Sequence, residues 1–139
     1  MSGIELTNHD LPTKEELVAL YDSVGWSAYT KDPERLYDAV SRSLRVVCAR
    51  DDGRLIGLAR LVGDGLTIVY LQDILVDPAH HRRGVGRKLF TEVLEPYADV
   101  RQKVLITDDE PRQRHFYEAM GFTEIRDMAF PIRAFVRFT

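Results

Sequence analysis

The chain of 139 residues has one cysteine, Cys48. A lone thiol excludes an internal disulfide and a multi-cysteine metal site. Basic charge is not in excess either: 19 Lys and Arg against 22 Asp and Glu leave a net charge of −3. That balance excludes a chain-wide electrostatic surface for nucleic acid or an acidic membrane. No apolar run approaches the ~18–20 residues that span a bilayer. Residues 1–17 have neither the basic cluster nor the apolar stretch of a secretory signal, so the expectation is a cytoplasmic protein. Repeats, low-complexity tracts and long Gly/Ser linkers are missing, and a single domain over residues 1–139 is expected.

What is present fits a folded chain. Hydrophobic residues make up 45% and charged residues 29%, enough apolar side chain for one core. Residues 3–7 read as a short edge strand. Thr13 and Glu16 form a capping box, and Leu17, Leu20, Tyr21 and Val24 share one helical face. Gly25 is a stop signal. A second helix opens at Asp32-Pro33 and runs through Leu36, Tyr37, Val40 and Leu44. The period then changes. Arg45–Arg50 and Arg54–Val62 read as strands joined by Asp51-Asp52-Gly53. Gly63-Asp64-Gly65 makes another turn, and Leu66–Val76 reads as an apolar strand covered on both faces. Gly84–Tyr97 is helical, Lys103–Thr107 a short buried strand, Arg112–Met120 a helix, and Phe122–Phe138 one or two strands. Hairpins followed by βαβ units give a mixed α/β fold.

Between the apolar strand and the next helix, residues 80–88 (His80-His81-Arg82-Arg83-Gly84-Val85-Gly86-Arg87-Lys88) hold four fixed cations and no acid. A helix N-terminus offers unpaired N–H groups and partial positive charge. Gly84 and Gly86 let a ligand approach the backbone. Together these features describe a phosphate cradle; a Gly-bearing loop with solvated charge is the plainer alternative. Neither the P-loop pattern nor Gly-x-Gly-x-x-Gly is present, because position 89 is leucine.

Further on, Phe116-Tyr117-Glu118-Ala119-Met120-Gly121-Phe122 places a tyrosine on a late helix before a glycine stop. Taken in order, Val76-Asp77-Pro78, Arg83-Gly84-Val85-Gly86 and this Phe-Tyr-x-x-x-Gly-Phe run resemble the GNAT superfamily of N-acetyltransferases over about residues 45–125. The resemblance implies an α/β (α+β mixed) fold with a mostly antiparallel twisted sheet of 6–7 strands and about four helices. It implies acetyl-CoA as cosubstrate, bound by His81, Arg82, Arg83, Gly84, Val85, Gly86, Arg87 and Lys88. His81 stands where the family usually has Gln or Arg. The coenzyme arm would pair with the backbone of Ile74, Leu75 and Val76 as an added strand. The Ile74 N–H would stabilise the oxyanion, and Tyr117 would protonate the leaving thiolate.

Amine acetylation needs a neutral amine. With a pKa of ~10.4, only about one lysine-like amine in 2,500 is unprotonated at pH 7. Asp73 lies in an otherwise apolar strand, and an unpaired buried carboxylate is costly. By resemblance to polyamine acetyltransferases it would attract the substrate cation or relay its proton; alternatively it pairs with Arg60 or with loop N–H groups. Tyr70 and Gln72 could hold a water wire. Trp26 and Tyr29 either wall an acceptor pocket or act as a helix-packing lid. His9, His80 and His115 read as surface or loop residues with no metal expected, and Cys48 as an inert core thiol.

The implied function is direct acetyl transfer from acetyl-CoA to a primary amine of a small molecule or peptide. The alternatives are a coenzyme A-binding sensor with little turnover and a nucleic-acid module using Arg82, Arg83, Arg87 and Lys88. No nucleic acid or membrane partner is expected. The chain reads as a monomer or a homodimer, in which the Phe130–Phe138 strand would extend a sheet.

Overall fold

The computed structural model describes residues 3–139. They form two compact units, one ending at Leu105 and the other Ile106–Thr139. In the first unit, β1 (Ile4–Thr7) precedes α1 (Lys14–Ser23), the single turn α2 (Ser27–Thr30) and α3 (Pro33–Ser41). Then come β2 (Arg45–Asp51), β3 (Arg54–Gly63), β4 (Ile68–Val76), α4 (Val85–Leu94) and β5 (Gln102–Leu105). The second unit contains α5 (Pro111–Ala119) and a 3-10 turn at Ile125–Asp127.

Local chemistry explains most boundaries. Thr13 accepts from the Glu16 N–H while Glu16 accepts from the Thr13 N–H, at 3.1 and 2.9 Å. Asp32 caps α3 through the Arg35 N–H, with Pro33 in the first turn. Gly25 has a φ of +79°, which lets the chain leave α1 and turn at once into α2. That one-turn helix is missing from the sequence reading.

The sheet has five strands among the described residues, in the order β1-β2-β3-β4-β5. All neighbours are antiparallel except β4 and β5. This corrects the expected 6–7 strands. The deficit lies in residues 122–138, which form the 3-10 turn and otherwise irregular chain. Residues 130–138 do alternate, but strand structure needs a neighbouring ladder as well as a pattern. β5 is also half-buried rather than buried, and it ends at Leu105.

The sheet is covered on both sides. Leu17, Leu20 and Tyr21 of α1 and Leu36 and Val40 of α3 cluster with Cys48, Leu58 and Leu75. On the opposite side of β3, a Cβ placed on Gly57 would lie 3.0 Å from Leu89 Cδ1 of α4. Glycine there lets α4 seat close against the strands. Burial pushes the Cys48 thiol up to about 12, so the core thiol stays protonated at neutral pH.

Candidate active site

Two irregularities in β4 create the site. The first is a bulge. Leu61 pairs with Leu71 and Arg60 with Asp73, so Gln72 is an extra residue in β4. In a regular strand, adjacent side chains point to opposite faces. Here Gln72 and Asp73 both reach the Tyr29 hydroxyl, at 3.1 and 2.8 Å. The second is a divergence of strands. β5 pairs with β4 only through Leu71, so among the described residues the outer edge of residues 72–76 has no strand beside it. The Asp77 N–H donates inward to the Ile56 carbonyl at 2.8 Å. Strand alternation then turns Leu75 and Asp73 inward and aims the backbone groups of Ile74 and Val76 outward.

Asp73 is 3% exposed and its partner Arg60 5% exposed. Arg60 Nε donates to Asp73 Oδ2 at 2.8 Å. Tyr21 donates to the same oxygen at 2.9 Å, and Tyr29 donates to Oδ1 at 2.8 Å. Burial alone would lower the Arg60 pKa; the adjacent Asp73 charge outweighs it and leaves the guanidinium firmly protonated. Burial and then the Asp73 charge push both tyrosine hydroxyls above their ordinary range. The Tyr29 proton is committed to Asp73, so its oxygen acts as an acceptor. Tyr21, Trp26 and Tyr29 form an aromatic trio with ring centroids 5.2 to 6.1 Å apart. Trp26 and Tyr29 pack against the core cluster while remaining partly exposed. Tyr70 is half-buried on the paired part of β4. Burial, with the Asp73 charge second, raises its hydroxyl pKa.

Past Val76 the chain makes a 3-10 turn, Pro78–His80, held by Asp77 Oδ1 accepting from the Ala79 N–H at 2.9 Å. Of the surface or loop position expected for His80, the loop holds: it lies in this turn, buried against Asp51 with Nε2 to Oδ2 3.0 Å. His81 Nε2 sits 2.9 Å from the Val76 carbonyl, so the ring braces the strand end. Arg82 has a φ of +66° and Gly84 a φ of +75°. These two left-handed residues reverse the chain into α4. No side chain caps the start of α4, and its first turn contains no acid. His81, Arg82, Arg83, Arg87 and Lys88 are exposed, Gly86 half-buried and Val85 buried. A Cβ on Gly84 would meet nothing within 4 Å. The first unit therefore brings together an uncapped, acid-free helix start, four surrounding cations and an open strand edge. That combination suits a diphosphate with an extended amide-bearing arm, the chemistry of coenzyme A.

Tyr117 belongs to the second unit, on α5. Burial raises its hydroxyl pKa, partly offset by a hydrogen bond with Thr107. Tyr21 and Arg60 are the members of the Asp73 cluster that sequence reading gave no site role. Arg60 was named only as a possible partner; Tyr21, 52 positions from Asp73, was read only as part of a helical face. Among the described residues, no group of three or more His, Cys, Asp or Glu could hold a metal ion, and no helix is long and apolar enough to cross a membrane.

Residues 42–124 match the family described as the acetyltransferase (GNAT) domain. An uncharacterized ycf52-like N-acetyltransferase of Prochlorococcus marinus is 31% identical over 112 residues, or 78% of this chain and 61% of that protein. The chain spans less than two thirds of the length of the curated relatives it matches. A solved GNAT-family acetyltransferase of Streptococcus pneumoniae superposes with a TM-score of 0.83 at 31% identity, covering 96% of this chain and 98% of that one. The fold is also shared by an aminoglycoside N-acetyltransferase solved in complex with CoA. Its TM-score is 0.69 at 21% identity, covering 100% of this chain and 96% of that one.

Proposed function

The chain belongs to the GNAT acetyltransferase family, and from that premise we propose that it transfers the acetyl group of acetyl-CoA directly to a primary amine of a small molecule or peptide. The observation that carries this reading is the uncapped, acid-free start of α4 beside the open edge of β4. Arg82, Arg83, Arg87 and Lys88 neutralise the diphosphate, and N–H groups of residues 82–87 bind its oxygens. Gly84 and Gly86 keep that surface free of side chain. Ile74 and Val76 offer outward backbone groups to the coenzyme arm. The Val76 carbonyl already has His81 beside it, so His81 acts on the strand rather than as a direct substitute for Gln or Arg.

Acetyl-CoA supplies a thioester whose carbonyl gains negative charge as the amine adds. The Ile74 N–H lies on the outward side of β4 and stabilises that charge. Tyr117, half-buried and with its hydroxyl pKa raised by that burial, gives a proton to the departing sulfur. Asp73 works at one remove. Its charge is held by Arg60, and it orients the Tyr29 oxygen toward acceptor use. The amine N–H donates a hydrogen bond to the Tyr29 oxygen beside Gln72, and the proton its nitrogen loses on forming the amide passes to solvent water, balancing the one that Tyr117 gives to sulfur and recovers from water; Trp26 and Tyr70 favour apolar or aromatic surface on the acceptor.

Thiol release from acetyl-CoA against a panel of polyamines, aryl amines, aminoglycosides, amino acids and peptides tests the reading. Amine-dependent release is expected. CoA binding with no release on any acceptor would identify a coenzyme sensor instead. Gly84→Asp places a carboxylate in the cradle at a left-handed φ, and calorimetry should show CoA binding abolished. If CoA binds that variant as tightly as the parent, the cradle assignment fails.

A further inference from the structure

We infer that the Asp73 site selects amines with one charged group and an apolar body, and that Arg60 sets this selectivity by cancelling the charge of Asp73. The inference rests on the proposed reading of this site as the place where the amine binds. A free carboxylate there would draw cations, and diamines more than monoamines. Asp73 is not free. Arg60 Nε and the Tyr21 hydroxyl donate to Oδ2 at 2.8 and 2.9 Å, and the Tyr29 hydroxyl donates to Oδ1 at 2.8 Å. The Arg60 and Asp73 side chains are 6% and 2% exposed, so the pair is shut off from water and its net charge is zero.

No other acid takes the place of Asp73. β3, β4 and residues 26–30 contain no Asp or Glu besides it. Among the acids of α1 and α3, Glu16 is tied to Arg50 and Glu34 to Lys14, and Glu15, Asp22 and Asp38 are exposed, where water and salt screen them. What the site offers an amine is the Tyr29 oxygen. A hydroxyl oxygen has two acceptor lone pairs. Gln72 Nε2 donates to one at 3.1 Å, which leaves room for one N–H. Trp26, Tyr29 and Tyr70, all half-buried, are placed to cover an alkyl or aryl body. A second ammonium would exchange water for ring faces, which attract an exposed cation only weakly, and would find no carboxylate to meet it.

Trp26 is the single tryptophan, so its fluorescence reports amine binding without any turnover. The full chain, saturated with CoA, is titrated at neutral pH with hexylamine, phenethylamine and hexamethylenediamine. Hexylamine and phenethylamine should bind at least about tenfold more tightly than hexamethylenediamine, which is hexylamine with a second ammonium. An equal or tighter diamine overturns the inference, as does a panel that leaves the fluorescence unchanged. Arg60→Gln uncovers Asp73 and should erase or reverse the preference, whereas Arg60→Lys should retain it. A merely structural role for Arg60 predicts equal weakening of all three amines, and that result overturns the assignment to Arg60. Gln72→Glu adds an unpaired acid at an exposed position beside Tyr29 and leaves the core intact. An unchanged preference in that variant shows that charge does not decide and overturns the inference. Monoamines that bind with the expected preference yet release no thiol from acetyl-CoA support the selectivity and overturn acetyl transfer instead.

Discussion

Asp73→Asn tests the centre of the first unit. Three donors converge on two oxygens: Arg60 Nε and Tyr21 on Oδ2, Tyr29 on Oδ1. Asparagine keeps the shape but offers one oxygen and an NH2 group, so at least one donor meets another donor. Arg60 keeps its charge, because deprotonating a guanidinium is out of reach, and at 5% exposure water barely solvates it. Removing one partner of a buried pair costs about 3–5 kcal/mol, against a total stability of roughly 5–15 kcal/mol for a domain. Urea unfolding followed by circular dichroism should show the midpoint falling with the slope unchanged. The melting temperature should drop by roughly 10 °C or more. Arg60→Met combined with Asp73→Leu should recover most of the loss, since an apolar pair needs no counter-charge. A loss below about 1 kcal/mol for Asp73→Asn, within the range of an exposed ion pair, would refute the reasoning. So would a double variant less stable than Asp73→Asn.

Tyr117→Phe should lower turnover at saturating acetyl-CoA by about 10²-fold or more, the usual contribution of a general acid, with CoA affinity by calorimetry unchanged. An unchanged rate removes Tyr117 from the chemistry. Tyr29→Phe should raise the KM for the amine more than it lowers kcat, because the role proposed for the hydroxyl is to meet the acceptor and not the coenzyme. Equal losses in both would count against that role. Cys48 has its pKa raised from 9.0 to about 12 by burial. A raised acid pKa stabilises the fold fully below pH 9, and the contribution fades as pH climbs toward 12. Urea midpoints should therefore decline across that alkaline range, and Cys48→Ala should flatten the decline. At pH 8, alkylation of Cys48 should proceed only at the rate of unfolding. Thr13→Ala should cost about 1 kcal/mol through the lost cap, read from the same urea midpoints.

Elements set by neighbours in sequence were legible, and those set by distant partners were not. Thr13 with Glu16, Asp32 with Pro33, and Asp51-Asp52-Gly53 each act within a few residues, and each boundary falls where that chemistry puts it. The turn into α4 was readable for the same reason, its glycines and cations being contiguous. The Asp73 cluster was readable only in part. An acid in an apolar strand announces that it has a partner, but Tyr21 lies 52 positions away and Tyr29 44. The single turn at Ser27–Thr30 exists because Gly25 redirects the chain, and four residues carry no periodicity. Residues 122–138 show the converse case. Alternation is plain from Phe130 on, but a strand also requires a paired edge, which alternation does not supply.

The extra residue in β4 serves the pocket and not the core. Leu71 stands opposite Leu61 and Asp73 opposite Arg60, and Leu61 and Arg60, being consecutive, face opposite sides of the sheet. Two residues apart in a regular strand would share a face; Gln72 is what sets Leu71 and Asp73 on opposite ones. Deleting Gln72 would make Leu71 and Asp73 neighbours, and plain alternation would keep both on their present sides with both pairings intact. What would go is the donor that Gln72 Nε2 offers the Tyr29 hydroxyl. Length-variant libraries of β4 should therefore yield folded protein without Gln72, in which Tyr29 has lost one of its two hydrogen-bond partners from β4.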